Sequence, residues 1–147
     1  MAEPDGTVRY AIVVAEFYSE LAERLVTSAT RVFEAAAADA VDVFAVPGAF
    51  ELPLAAQMAA QTERYAGIAC LGTVIRGETS HYDYVCSEAA RGIQDVALRS
   101  GVPCGFGLLT VENMDQAMER SGGGKRDQGA HAAEAVLALL RVRAELT

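Results

Sequence analysis

The apolar residues of this chain are concentrated in four short runs: VRYAIVVA (8–15), VDVFAV (41–46), AGIACLG (66–72) and PCGFGLL (103–109). Within each run the apolar residues are nearly continuous and do not alternate with polar ones. Such runs are typical of strands in a parallel sheet that helices cover on both faces, because neither face of the strand meets water. The pattern therefore predicts four buried strands.

The segments between these runs have helical periodicity. In the first of them, an apolar stripe recurs at Leu21, Leu25, Ala29 and Val32, and the alanines at 35–38 are expected to extend the same helix. Further helices are predicted over 53–65, about 80–100, 113–121 and 128–145. The order β-α-β-α-β-α-β-α-α predicts one α/β domain over 1–147, a three-layer α/β/α sandwich around a four-stranded parallel sheet.

Composition and charge narrow the class of partner. The chain has 147 residues and a net charge of −8, which argues against a nucleic-acid backbone or an anionic membrane as partner. No apolar run approaches the roughly 20 residues of a membrane span, and the start MAEPDGTVRY lacks the pattern of a signal peptide. Cys70, Cys86 and Cys104 show no metal-type spacing, so free thiols in a reducing cytoplasm are predicted.

Polar and aromatic residues gather where the predicted strands end. Glu16 to Ser19 follow the first strand, VPGAFELP (46–53) follows the second, TVIRGETSH (73–81) the third and TVEN (110–113) the fourth. Ligands of open parallel sheets bind beyond the carboxyl ends of the strands. This edge of the sheet is therefore the predicted site.

Two residues near the first strand ends each allow two interpretations. Phe17 precedes a polar helix start, where its ring could stack on a flat heterocycle or pack beneath the neighbouring loop. Glu51 follows the turn at Pro47-Gly48 and could accept hydrogen bonds from a polyol or be a solvated carboxylate at a helix start. The residues alone do not decide either case.

The stretch RGETSH, residues 76–81, has the features of an anion site followed by a proton-transfer group. Gly77 allows a tight turn, and Thr79 or Ser80 can cap the next helix, with Asp83 at capping-box spacing from Ser80. Exposed amides at a helix start bind anions. His81 in that first turn is expected to remain largely neutral beside the positive helix end and to exchange protons. The alternative is an ordinary surface histidine.

The second half of the chain offers fewer signals. Asn113 and Gln116 have the spacing of a helix cap, Arg120 is interpreted as a cation at a helix end, and His131 as a structural residue. The glycine-rich GGGKRDQG (122–129) does not match a phosphate-binding P-loop, because the GxxxxGK[ST] pattern is absent.

Three of these segments together carry a family resemblance: VPGAFELP, GTVIRGETSHYDYVC and FGLLTVENMDQAMERSG closely resemble lumazine synthase. The resemblance extends from about Tyr10 to the last helix. It implies a flavodoxin-like fold and condensation of 5-amino-6-ribitylamino-2,4(1H,3H)-pyrimidinedione with 3,4-dihydroxy-2-butanone 4-phosphate. The product would be 6,7-dimethyl-8-ribityllumazine, formed in the penultimate step of riboflavin biosynthesis, with no cofactor and no metal.

The resemblance also implies a role for particular residues. Phe17 matches the ring that stacks on the pyrimidine, and His81 matches the group that donates and accepts protons. Phe106 and Arg120 match residues that reach into the site from the adjacent subunit, Arg120 to pair with phosphate. The other matching positions hold the ribityl chain (Ala49, Phe50 and Glu51), the heterocycle (Thr73, Val74 and Ile75) and the phosphate (Glu78 and Thr79).

Two positions depart from the family pattern. Gln128 replaces the lysine that is common before the glycine of an "NKG" signature, so the pyrimidine would meet an amide without charge. Glu78 brings a carboxylate to the phosphate cradle, where only its amide can favour an anion. There are two alternatives. Gln128 favours a non-catalytic shell or a lumazine- or flavin-binding protein, whereas the intact histidine motif argues against a related enzyme that dismutates lumazine to riboflavin. The resemblance further implies a homopentamer or a sixty-subunit icosahedral shell, with riboflavin synthase as a possible partner.

Overall fold

The computed structural model describes residues 6–147 and contains four strands and five α-helices in the predicted order. Along the chain these are β1 (Arg9–Ala15), α1 (Ser19–Ala35), β2 (Ala40–Val46), a 3₁₀ turn (Ala49–Glu51), α2 (Leu52–Gln61), β3 (Gly67–Ile75), α3 (His81–Ser100), β4 (Cys104–Val111), α4 (Met114–Arg120) and α5 (Gln128–Leu146). No helix in this part of the chain is both long and apolar enough to cross a membrane.

The four strands form one parallel sheet in the order β2-β1-β3-β4. Helices α1 and α5 pack on one face, where the buried residues include Leu25, Phe33 and Val136. Helices α2 and α3 pack on the other face, around Leu52 and Ile93. The prediction of a three-layer α/β/α sandwich with a four-stranded parallel sheet is therefore confirmed.

Burial differs between the central and the edge strands. β1 and β3 are almost wholly buried, as their continuous apolar runs predict. β2 lies at one edge of the sheet and leaves Val43 and Phe44 nearly half exposed, and β4 at the other edge leaves Phe106 42% exposed. The prediction that all four strands are buried is thus wrong for β2, because an apolar run does not reveal which strand lies at an edge.

The first helix is shorter than predicted. It ends at Ala35, and Ala37 has φ 64°, in the left-handed region that interrupts an α-helix. The amide of Asp39 then donates to the carbonyl of Val8 at 2.8 Å, while the Asp39 carboxylate accepts from the Val8 amide. The chain must turn here to bring β2 alongside β1, so the connection to the sheet overrides alanine's preference for helix.

Candidate active site

A cavity of about 330 Å³ opens at the carboxyl edge of the sheet. Its walls come from the segments that follow β1 and β2, from the end of β3 and from the start of α3. The lining residues are Phe17, Tyr18, Gly48, Ala49, Phe50, Glu51, Thr73, Val74, Ile75, His81 and Val85. We call these residues the pocket group. Eight of the predicted site residues belong to it: Phe17, Ala49, Phe50, Glu51, Thr73, Val74, Ile75 and His81.

The strand register explains this convergence. Ala15 pairs with Val46, so β1 and β2 end at the same level, and β3 continues for four residues beyond Leu71, the partner of Val14. The amide of Glu16 donates to the Val46 carbonyl at 2.9 Å, which ties the first two strand ends together. Side chains that follow parallel strands therefore meet at one edge although they lie far apart along the chain.

Phe17 presents its ring to solvent. The residue is 76% exposed, and its ring is nearly perpendicular to the Tyr18 ring, with the two ring centroids 4.9 Å apart. Burial beneath the neighbouring loop, one of the two interpretations of the sequence, is not observed. An exposed aromatic face on a cavity wall can stack on a planar ligand.

Glu51 has a local structural contact. Its Oε1 accepts a hydrogen bond from the Gly48 amide at 2.9 Å, which fixes the 3₁₀ turn of Ala49–Glu51. Ala49, the first residue of this turn, is buried, whereas Phe50 is 62% exposed at the cavity. The turn thus presents one aromatic ring and one partly engaged carboxylate to a ligand.

The last three residues of β3 line the cavity. Because strand side chains alternate, the Thr73 side chain points to the same face as Leu71, under α1 and α5. Thr73 is 7% exposed, and its hydroxyl has no hydrogen-bond partner among the described residues. Val74 packs against the opposite core, that of α2 and α3.

His81 is the first residue of α3, and its exposed side chain lines the cavity. Its amide donates to the Thr79 hydroxyl at 3.3 Å, whereas the Ser80 side chain makes no capping bond. The capping box predicted from Ser80 and Asp83 is therefore wrong. Asp83 instead pairs with Arg76, their closest atoms 3.3 Å apart.

Arg76 braces the loop that carries His81. Its Nε lies 3.0 Å from a carboxylate oxygen of Glu112, beyond β4, and its guanidinium lies 4.2 Å from the centroid of the Tyr82 ring. The hydrogen bond that Arg76 donates to the Glu112 carboxylate raises the pKa of Arg76 above its usual value. The sequence alone shows Arg76 only as the start of the loop, because its partners on α3 and beyond β4 come close to it only in the folded sheet.

Burial affects two other groups in the first turns of α3. It raises the pKa of the Tyr82 phenol and of the Cys86 thiol, and the negative charge of Asp83 contributes to the rise at Cys86. Both groups are neutral near pH 7 at their ordinary pKa values, and the upward shifts leave them so. The thiols of Cys70, Cys86 and Cys104 are free, as predicted.

Five predicted site residues lie outside the cavity, and three of them form what we call the β4-side group: Phe106, Arg120 and Gln128. Phe106 pairs with Cys70, three residues before Thr73 on the neighbouring strand, which corresponds to about 10 Å along the sheet. Arg120 ends α4, where its Nη1 donates to the Gln116 carbonyl at 3.2 Å.

Gln128 begins α5, and its Nε2 lies 3.4 Å from Nδ1 of His131. His131 is exposed and not part of a core. Glu78 and Thr79 also do not line the cavity; both are exposed in the loop just before His81.

Three lining residues were not among the predicted site residues. Tyr18 directly follows Phe17, Gly48 was interpreted only as part of a turn, and Val85 lies one helical turn after His81. The helical period could have identified Val85, because residues four apart share a helix face. Within residues 6–147 no cluster of three or more histidine, cysteine or acidic residues is arranged to hold a metal ion.

Comparison with known proteins gives a consistent family assignment. The family model described as 6,7-dimethyl-8-ribityllumazine synthase matches residues 7–144. Two proteins of that name, from Nitratidesulfovibrio vulgaris strains DP4 and Hildenborough, are each 43% identical over 141 residues, covering 95% of this chain and 90% of theirs.

Proposed function

The chain belongs to the 6,7-dimethyl-8-ribityllumazine synthase family, and from this premise we propose how its residues carry out the reaction. The enzyme is a transferase of riboflavin biosynthesis. It condenses 5-amino-6-ribitylamino-2,4(1H,3H)-pyrimidinedione with 3,4-dihydroxy-2-butanone 4-phosphate to give 6,7-dimethyl-8-ribityllumazine, phosphate and water.

The pyrimidine binds in the cavity of the pocket group. Its ring stacks on Phe17, and its polar edge meets the backbone of Thr73, Val74 and Ile75. The ribityl chain extends along Ala49, Phe50 and Glu51. The exposed ring of Phe17 beside the open strand end of β3 is the observation that best supports this placement.

The phosphate of the second substrate binds in the loop before α3. The amides of Glu78 and Thr79 lie next to the helix start, where partial positive charge favours an anion. Glu78 is exposed, so its carboxylate can point to water and away from the phosphate. Arg120 of a neighbouring subunit supplies the positive charge.

His81 moves protons in this cavity. The amine of the pyrimidine adds to the ketone and one water leaves, the phosphate is eliminated, and the second amine closes the ring with loss of a second water. Each step transfers a proton between nitrogen, oxygen or carbon, and an imidazole on the cavity wall is suited to that role. Much of the remaining acceleration comes from holding both reactants in one cavity.

Each site is completed by a second subunit. Phe106 lies about 10 Å along the sheet from Thr73, at the exposed edge strand β4. A ring at an exposed sheet edge is well placed to enter a neighbour's cavity and poorly placed to enter its own. We therefore assign the β4-side group of one subunit to the pocket group of the next, with Gln128 contacting the pyrimidine.

Such head-to-tail contacts close into a ring, and the proposed assembly is a homopentamer, with sixty-subunit shells of pentamers as the larger form. Riboflavin synthase as a partner, a cytoplasmic location and a single domain over 1–147 remain predictions. The oligomer is tested by measuring its mass in solution.

An assay tests this function: both substrates are supplied, and formation of the lumazine product is followed by absorbance. A synthase forms product only when both substrates are present. A lumazine-dismutating enzyme would convert the lumazine to riboflavin, and a binding protein would retain lumazine or flavin without turnover. Either of these outcomes would contradict the proposal.

A further inference from the structure

The C-terminal end of α4 is attached to α1 by one guanidinium. Nε of Arg24 donates to the Ser121 hydroxyl at 2.7 Å, and Nη2 lies 3.1 Å from the Met118 carbonyl and 3.4 Å from the Gly122 carbonyl. Ser121 is fully buried, and its hydroxyl in turn donates to the Met118 carbonyl at 3.2 Å. Arg24 thus contacts a segment more than 90 residues away in the sequence.

α4 needs such a contact. It has seven residues, and only Ala117 among them is buried. A helix this short is marginal on its own, because each helix leaves its last carbonyls without partners inside the helix. The planar guanidinium of Arg24 supplies donors to those carbonyls, and its positive charge is favourable at a helix C-terminus.

Arg120 lies within this docked segment, between Met118 and Ser121. Its side chain is 26% exposed and donates to the Gln116 carbonyl. The direction in which it leaves the helix therefore depends on where the end of α4 is held.

We propose that Arg24 is a positioning residue for Arg120: by holding the end of α4 against α1, it directs the Arg120 guanidinium toward the phosphate of the dihydroxybutanone substrate in the adjacent subunit. Arg24 itself does not touch the substrate. The inference rests on the proposed phosphate role of Arg120. Beyond that role, it identifies Arg24 as a residue that affects phosphate binding through the position of α4.

The test measures the KM of each substrate, kcat, and the affinity for inorganic phosphate, in the assembled protein. Arg24→Met keeps most of the aliphatic stem and removes the guanidinium. We expect a roughly tenfold rise in KM for the phosphate substrate and a comparable loss of phosphate affinity, because a small displacement of a binding group is costly. The KM for the pyrimidine should change far less, and Arg24→Lys should restore part of the loss.

Arg31→Met is the matched control. Arg31 lies two turns further along α1 and lines the same surface groove as Arg24, so its loss changes the charge equally. It should leave both KM values unchanged. Thermal unfolding of every variant separates a local effect from general destabilisation, and if Arg24→Met does not fold, Arg24→Lys and Ser121→Ala are used in its place.

A double-mutant cycle with Arg120→Met decides the mechanism. If Arg24 acts through Arg120, the double variant binds phosphate no more weakly than Arg120→Met alone. Additive losses of phosphate affinity would overturn the positioning role of Arg24 and leave Arg120 as a phosphate ligand. The same conclusion would follow if Arg24→Met bound phosphate normally while Arg120→Met bound it weakly. An unaffected Arg120→Met would overturn both the proposed role of Arg120 and the inference about Arg24.

Discussion

The pocket group and the β4-side group differ in how the fold positions them. The pocket group follows the carboxyl ends of β1, β2 and β3, and one chain brings all of it to one cavity. The β4-side group is spread over an edge strand, the end of α4 and the start of α5, outside that cavity. This separation is what the proposed sharing of each site between two subunits requires.

The two groups also differ in the structural elements that keep them in position. Five residues of the pocket group lie on or directly after the central strands β1 and β3, which are almost entirely buried, and four more follow the edge strand β2. Arg120 depends on a seven-residue helix and on the long-range contacts of Arg24. Substitutions near the pocket group are therefore expected to act on the chemistry directly, whereas those near α4 act through the position of one cation.

The largest effect is expected for His81→Ala. Loss of the proton-transfer group should lower kcat by roughly 10²–10⁴-fold with little change in substrate binding, because proximity of the two reactants is retained. Steady-state kinetics with both substrates measures this. Gln94→Ala, on the exposed side of α3, is the control, and an unchanged kcat in His81→Ala would remove His81 from the mechanism.

The division between subunits is tested by complementation. His81→Ala and Arg120→Ala proteins, each nearly inactive, are unfolded and refolded together in equal amounts. Random head-to-tail assembly pairs an intact His81 with an intact Arg120 at about a quarter of the interfaces, so activity should recover to roughly that fraction of wild type.

Mixing the two folded proteins without reassembly is the control for complementation and should recover nothing. If the co-refolded protein is no more active than its parents although mass measurements show mixed rings, the site lies within one chain. The assignment of Phe106 and Arg120 to a neighbour's site would then be wrong.

A smaller effect is expected for Gln128→Lys. A charged donor forms a stronger hydrogen bond to the pyrimidine than an amide does, so the KM for the pyrimidine should fall by roughly fivefold, equivalent to about 1 kcal/mol. Gln57→Lys adds the same charge on α2 and controls for net charge. A pyrimidine KM that stays the same or rises in Gln128→Lys would contradict the assignment of Gln128.

The smallest effect is expected for Thr73→Val. The buried hydroxyl has no partner among the described residues, so replacing it with a methyl group should raise the free energy of unfolding by about 1 kcal/mol. Denaturant unfolding measures this, with Thr73→Ser as the variant that keeps the hydroxyl. If Thr73→Val loses pyrimidine affinity and Thr73→Ser does not, the hydroxyl binds the substrate as well as the backbone does.

The sequence by itself determined the type and order of the elements and the edge of the sheet that carries the cavity. Continuous apolar runs and helical stripes reflect contacts between residues close in the chain, so β1, β3 and α3 could be predicted within a few residues. The cap at Asn113, whose side chain accepts from the Gln116 amide at 2.9 Å, was predictable for the same reason.

Only the tertiary structure decided which partners distant residues have. Asp83 pairs with Arg76 and not with the helix start at Ser80, because Glu112 and Tyr82 hold the guanidinium within its reach. Arg24 meets Ser121 because α1 and the end of α4 lie together on one side of the sheet. Such pairings depend on strand order and helix placement, which local patterns do not encode, and the free energy of the assembled sheet selects them.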